Sequence, residues 1–374
     1  MLIHVARLIN GRGLLLTNAT VEVRGSSIVA VDHRGGPYTH DLGDVTLLPG
    51  LIDVHVHLDW HFGPNGHYGD VSTPAFRDRA IADNARATLL AGFTTIQSVG
   101  WHGDLELQER IAGDVIVGPR IVSSLDPIHP RPGQSAAALR DAVRGLADAG
   151  ADLIKVFASG SIRDGGRMNV TAEQLDAVCD EARALGLRTL VHAHDSAAIV
   201  ASVKAGCTQV EHGVFADDAA IEAMRDAGVR FDPNIGLILQ NYLERKPQFL
   251  GAGNFNEEGF AAMAAAVPHL APLFRRALAA GLTMPLGTDA VAGAHGQNAR
   301  EIIARVAAGQ TAMDAISSAT SVSAESIELG DTIGTLAAGY EADIIAMDGD
   351  PLADIGAMQR VSFVMKAGQS VKVV

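Results

Sequence analysis

Eight short apolar segments recur between residues 51 and 287, and most are followed by an Ala-, Glu- and Arg-rich amphipathic stretch. They are Leu51–His55, Phe93–Ser98, Arg120–Ser124, Leu153–Phe157, Thr189–His192, Gln209–His212, Val229–Asp232 and Thr283–Gly287. An apolar strand that alternates with a helix must be covered on both faces, which is the signature of a parallel sheet wrapped by helices. Eight such units over about 280 residues suit a closed (β/α)8 TIM barrel better than an open sheet. Helical stretches such as Thr171–Leu185 and Asp217–Ala227 fill the intervals, the first opened by the capping sequence Thr171-Ala172-Glu173-Gln174. Ala-Gly pairs at 91–92, 149–150, 205–206, 227–228 and 280–281 read as helix ends that stop on glycine.

The flanks have a different pattern. Thr20-Val21-Glu22-Val23 and Ile28-Val29-Ala30-Val31 near the start read as short strands, as do 343–347, 361–365 and 370–374 near the end. Neither flank is large enough to bury a sheet alone. The expectation is an α/β chain whose residues 49–330 form the catalytic barrel, with 1–48 and 331–374 joined in one small β-sandwich domain. Long connections follow strand 1 (57–73), strand 4 (158–170) and strand 7 (233–257), on the barrel face where active sites form.

Composition narrows the function classes. The chain has 374 residues and a formal net charge of −14, which disfavours nucleic acid and anionic membrane surfaces as partners. No window approaches the roughly 18 uninterrupted apolar residues of a membrane span, and no secretion signal is read at the start. The two cysteines, Cys179 and Cys207, exclude a disulfide framework, read as two small buried residues and fit a reducing, cytoplasmic setting. A small-molecule substrate is the expected partner. A homo-oligomer is carried as an option because dimers and larger rings are common among soluble enzymes.

Chemistry gathers at the strand ends. In Asp53-Val54-His55-Val56-His57 the two imidazoles are two apart, so on a strand they aim the same way. A His-x-His pair alone is as readily structural as metal-binding. Lys155 lies inside the apolar run Leu153-Ile154-Lys155-Val156-Phe157. Burial there lowers an amine's pKa and frees it to capture carbon dioxide as a carbamate. His192 and His194 end strand 5, His212 ends strand 6 and Asp289 ends strand 8. Strands 1, 4, 5, 6 and 8 thus each finish on a group able to bind a cation, an agreement that chance seldom produces.

These motifs, in order, resemble those of the amidohydrolase superfamily. Leu48-Pro49-Gly50-Leu51-Ile52-Asp53-Val54-His55-Val56-His57 looks like its opening signature. Ile154–Gly160, Val191-His192-Ala193-His194, Val210-Glu211-His212-Gly213 and Gly287-Thr288-Asp289-Ala290 are similar to the later ones. His295–Glu301, Ile333–Leu336 and Gly339–Asp343 continue the likeness, so it covers nearly the whole chain. The resemblance is strongest to the imidazolonepropionase-like branch with prolidase- and carboxypeptidase-type enzymes. It implies two divalent cations, zinc by default. His55, His57, Lys155 and Asp289 would hold one, and carboxylated Lys155, His192 and His212 the other. Spacing leaves His192 and His194 open as the strand 5 ligand; the family pattern favours His192 and turns His194 to the substrate. One departure is Ser159-Gly160-Ser161, where relatives carry Ser-Gly-Gly after the lysine.

The implied chemistry is hydrolysis of an amide C–N bond, such as a dipeptide or N-acyl amino acid. Cations acidify a shared water, and Asp289 takes its proton and passes it to the leaving amine. Lactone, carbamate or phosphotriester hydrolysis would use the same groups, because loops rather than ligands choose the substrate. A one-metal deaminase has no use for Lys155, and a non-catalytic barrel has no use for a complete ligand set. Candidate substrate contacts are His194, His129 in its proline-stiffened loop, Trp101, Arg163, Tyr242 and His295.

Overall fold

The protein was analysed as a computed structural model that describes residues 1–373. Two parallel sheets form its centre. One has three strands, Leu51–Val56, Phe93–Ser98 and Arg120–Ser123; the other has four, Leu153–Phe157, Arg188–Asp195, Gln209–Phe215 and Arg230–Asp232. Neighbours in sequence are neighbours in each sheet, as consecutive βαβ units require.

Backbone hydrogen bonds run on between the sheets. Ile128 N–H donates to Lys155 O and Phe157 N–H donates to Ile128 O, tying the end of the third strand to the fourth. On the other side, Phe231 N–H donates to Thr283 O, Val54 N–H to Leu286 O, and Asp289 N–H to His55 O. The segment 283–289 forms no regular strand, contrary to the expectation of an eighth. Pro285 lacks a ladder donor. Gly287 N–H is taken by the Asp232 carboxylate at 2.9 Å instead of by a neighbouring strand.

Alternation along the strands sorts the core. Ile154, Val156, Val191, Ala193 and Val210 pack outward with helix residues Leu139, Val143, Leu175 and Val178. Leu153 and Leu190 belong to a different, inner cluster with Ile52, Val54 and Val122. Lys155, His192 and His194 share the inner parity of their strands. The helices end as the sequence indicates. The five Ala-Gly pairs are C-caps, each with alanine at the cap and glycine following at φ between +67° and +96°, a conformation that costs any residue with a Cβ. Thr171 and Gln174 form a reciprocal capping box on the helix Ala172–Ala184.

Strands from both ends of the chain lie in one eight-stranded sheet. Ile344–Asp348 pairs antiparallel with Val45–Pro49, placing Ile344 opposite Pro49 and Asp348 opposite Val45. The connection 233–257 is not a plain loop: it holds the short helices Ile238–Glu244 and Lys246–Phe249. The cysteine reading needs correction. Cys179 and Cys207 are both buried, but they are joined in a disulfide between the helix Ala172–Ala184 and the turn before Gln209–Phe215. Nothing in the sequence marks two positions 28 apart as neighbours. Cysteine usage therefore gives no argument for a reducing compartment. No helix among the described residues is long and apolar enough to cross a membrane.

Candidate metal centre

The strand ends converge on a cavity of about 490 Å³. Its floor carries His55, His57, Lys155, His192, His194, His212 and Asp289. His57 Nε2 is 3.1 Å from Asp289 Oδ1 and His55 Nε2 is 3.4 Å from the same oxygen. Ligand atoms of these three lie within 4.8 Å of one another, close enough to share one cation. Across the floor the rings of His192 and His212 are 4.7 Å apart, and His194 stacks on His212 at 5.0 Å. The three imidazoles crowd together, so distance alone does not choose between His192 and His194.

Lys155 is 1% exposed and its Nζ has no hydrogen-bond partner among the described residues. An unpaired ammonium in such a place costs several kcal/mol. Burial accordingly drives its pKa down, against the pull of Glu211, Asp289 and Asp232. Burial also holds His55, His192 and His212 well below the ordinary imidazole value, with Lys155 adding to the effect. Neutral imidazole is the form that ligates a metal. Burial raises the Asp289 carboxyl, but His55, His57 and Lys155 outweigh it and hold the group below its ordinary value. A buried amine with nothing to bind, imidazoles held neutral by burial and an ionised carboxylate form a donor set that fits divalent cations.

Two of the floor residues are held in strained backbone. His212 and Asp289 have φ of +66° and +54°, a region that costs a non-glycine residue about 1–3 kcal/mol. At His212 a bulge in the pairing of strands 5 and 6 accompanies the turn. At Asp289 a buried network holds the strained segment: Asp53 accepts from Thr288 N–H at 3.0 Å, Thr288 Oγ1 at 2.6 Å and Asn298 Nδ2 at 2.7 Å.

Sequence reasoning missed a second layer of charge beneath the floor. Glu211, Asp232, Glu301 and Arg305 are all fully buried. Glu211 Oε2 is 2.6 Å from His55 Nδ1. Asp232 accepts from Arg305 and from Asn234, and Arg305 also donates to Glu301. Burial pushes the carboxyls of Glu211 and Asp232 upward, and Glu211 raises Asp232 further. The argument that singled out Lys155, a charge inside an apolar strand, applies equally to Glu211 in Val210-Glu211-His212.

The substrate-side candidates divide. His129, Arg163, His194 and Tyr242 line the cavity. His129 stacks on Phe157 at 4.1 Å. Arg163 lies 4.0 Å over Phe255, with Nε donating to Asn254 Oδ1. Tyr242 is buried against Phe249 and Phe255. Trp101 and His295 do not line the cavity. Trp101 faces an adjoining surface groove that shares Trp60 and Arg163 with it. His295 sits behind the floor, its Nε2 3.1 Å from His57 O. Their place in the sequence, just after strand ends, did not distinguish facing the cavity from backing it.

The profile of the "Amidohydrolase family" matches residues 46–371, which takes in every residue of the cavity floor. The chain belongs to the amidohydrolase family. It is 29% identical to the ochratoxinase of Aspergillus niger over 99% of this chain and 86% of that protein. The crystal structure of that ochratoxinase superposes with a TM-score of 0.83 at 27% identity, covering 100% of this chain and 95% of the other. A Xaa-Pro dipeptidase crystallised with methionine in its active site gives a TM-score of 0.88 at 28% identity, covering 99% of both chains.

Proposed function

We propose that this amidohydrolase is a metal-dependent hydrolase of amide C–N bonds in small molecules such as dipeptides and N-acyl amino acids. The observation that carries the reading is the buried, partnerless Lys155 amine on the same cavity floor as the His55–His57–Asp289 trio and the His192–His212 pair. The similarity to an ochratoxinase and to a Xaa-Pro dipeptidase supports the amide as the bond cleaved.

We read the two parallel sheets and the segment 283–290 as one (β/α)8 barrel, supported by the hydrogen bonds that run on between them. Residues 49–330 would then be the catalytic unit, with 1–48 and 331–374 forming the small β-sandwich domain. His55, His57 and Asp289 would hold one divalent cation, zinc by default, and His192 and His212 the other. Lys155 would join both as a carbamate, its amine, once deprotonated, adding carbon dioxide with loss of one proton. When bound, the cations acidify water and polarise a carbonyl.

The chain's own groups supply the rest. Asp289, ionised and lining the cavity with its side chain 16% exposed, accepts the proton of the attacking water and delivers it to the leaving amine. Arg163 offers its terminal nitrogens to a substrate carboxylate, since only Nε is engaged. His194 carries a buried Nδ1 without a partner and faces the bound molecule. Tyr242 and His129 complete the wall.

The test is a screen of zinc-loaded protein, prepared with bicarbonate, against dipeptides, N-acyl amino acids, lactones and phosphotriesters. Turnover of the first two groups is expected. Turnover confined to lactones and phosphotriesters would overturn the amide reading.

A further inference from the structure

The five imidazoles of the cavity floor are not supported alike. Among the described residues only His55 has a carboxylate on the nitrogen that faces away from the cavity, Glu211 Oε2 at 2.6 Å from Nδ1. With its proton on Nδ1 the His55 ring donates to Glu211 Oε2 and keeps the lone pair on Nε2. Nε2 is the atom 3.4 Å from Asp289. The ring is thus set in the tautomer and orientation that a cation shared with His57 and Asp289 requires.

Glu211 is itself held rigidly. Its Oε1 accepts from Gln209 Nε2 at 2.9 Å. Asp232 stands beside it, and the ligand atoms of His55, Glu211 and Asp232 lie within 4.8 Å of one another. Asp232 is anchored by Arg305 Nη2 and by Gly287 N–H, each at 2.9 Å. Arg305 is braced by Glu301, which also accepts the backbone N–H groups of Ile235 and Gly236. Four fully buried charged side chains are a costly way to fill a core. The apolar alternative would pack as well but would not orient an imidazole.

We propose that Glu211 is a positioning residue: it fixes His55 for the cation site made with His57 and Asp289, and leaves the site made with His192 and His212 unaffected. A carboxylate on the outer nitrogen also raises the basicity of the inner one, and losing such a partner typically costs about 10- to 100-fold in metal affinity. This rests on the two-cation reading above.

The experiment is a stepwise zinc titration against a chromophoric chelator, with bicarbonate present, of the native protein, Glu211→Gln and Glu211→Leu. Metal per chain is counted by mass spectrometry, and unfolding midpoints are measured on the metal-free proteins. In Glu211→Leu one ion is expected to weaken about 10- to 100-fold while the other keeps its native affinity. Glu211→Gln, which retains an acceptor, is expected to fall between. If Glu211→Leu does not fold, selective weakening of one ion in Glu211→Gln still supports the role. Native affinity for both ions in Glu211→Gln and Glu211→Leu, or equal weakening of both ions with a lowered midpoint, overturns it. A native protein that binds no zinc would instead sink the two-cation reading.

Discussion

Asp289 Oδ1 lies 3.1 Å from His57 Nε2, although the two residues come from opposite ends of the central region, in segments joined by three backbone hydrogen bonds. The contact places an ionised carboxylate where a ligand and a proton acceptor are both needed. Replacing Asp289 with Asn keeps the shape and removes the base. The expected result is a fall in kcat of about 10²- to 10⁴-fold, with most of the bound metal retained. Steady-state kinetics alongside metal analysis check both halves.

Arg163 is a cation at the cavity wall with no carboxylate partner among the described residues, stacked on Phe255. Arg163→Met should raise KM by on the order of 10- to 100-fold for an N-acyl amino acid, since hydrogen bonds to charged groups contribute about 1.5–3 kcal/mol. The corresponding N-acyl amino acid amide, which lacks the anion, should show little change. Equal effects on the two substrates would remove Arg163 from carboxylate recognition.

Gly287 lies where the seventh strand, the first strand and the segment 283–290 meet. A Cβ there would overlap Asp232 Oδ2 and sit 2.9 Å from His55 Cβ. Gly287→Ala should therefore displace His55 and the Asp232 network together, lowering both thermal stability and zinc content. Native zinc content in a folded Gly287→Ala protein would show that the floor tolerates the shift.

Asp104 is fully buried at the start of the helix Asp104–Ala112, accepting from Ser98 Oγ and Ser123 Oγ. Burial raises its carboxyl from 3.8 to about 7. The folded protein thus holds this proton more tightly than the unfolded chain. Stability from it is full below the ordinary carboxyl range and declines as pH rises through about 7, by roughly 4 kcal/mol in total. Asp104→Asn should narrow the gap between urea midpoints at about pH 5 and about pH 8. An unchanged gap would mean that Asp104 ionises freely in the fold.

Much of this was legible in the sequence because it depends on local rules. Seven of the eight expected strands follow from short apolar runs, four of them directly after an Ala-Gly helix stop, and the Thr171–Gln174 cap follows from residue types alone. The residues on the cavity floor were legible because each lies in or just beyond one of the recurring apolar segments, at positions a parallel α/β arrangement brings together. What escaped depends on facing and on contacts remote in the chain. The eighth segment is irregular because Gly287 N–H turns to the remote Asp232, His295 lies behind His57 rather than before it, and Cys179 meets Cys207 only through tertiary packing. In the Glu211–Asp232–Arg305 layer, Glu211 was open to the same argument as Lys155, whereas Arg305 looks like an ordinary helix-surface charge until its burial is known.

The central claim is that the partnerless Lys155 amine becomes the group joining two cations. Its most direct test is to reconstitute metal-free native protein and Lys155→Ala with zinc and ¹³C-bicarbonate, counting zinc per chain and recording the ¹³C spectrum. The native protein should hold two zinc ions and show one carbamate carbon, while Lys155→Ala shows no such carbon and holds fewer than two ions. Two ions retained by Lys155→Ala, or a native protein that binds zinc without a carbamate signal, would contradict the account.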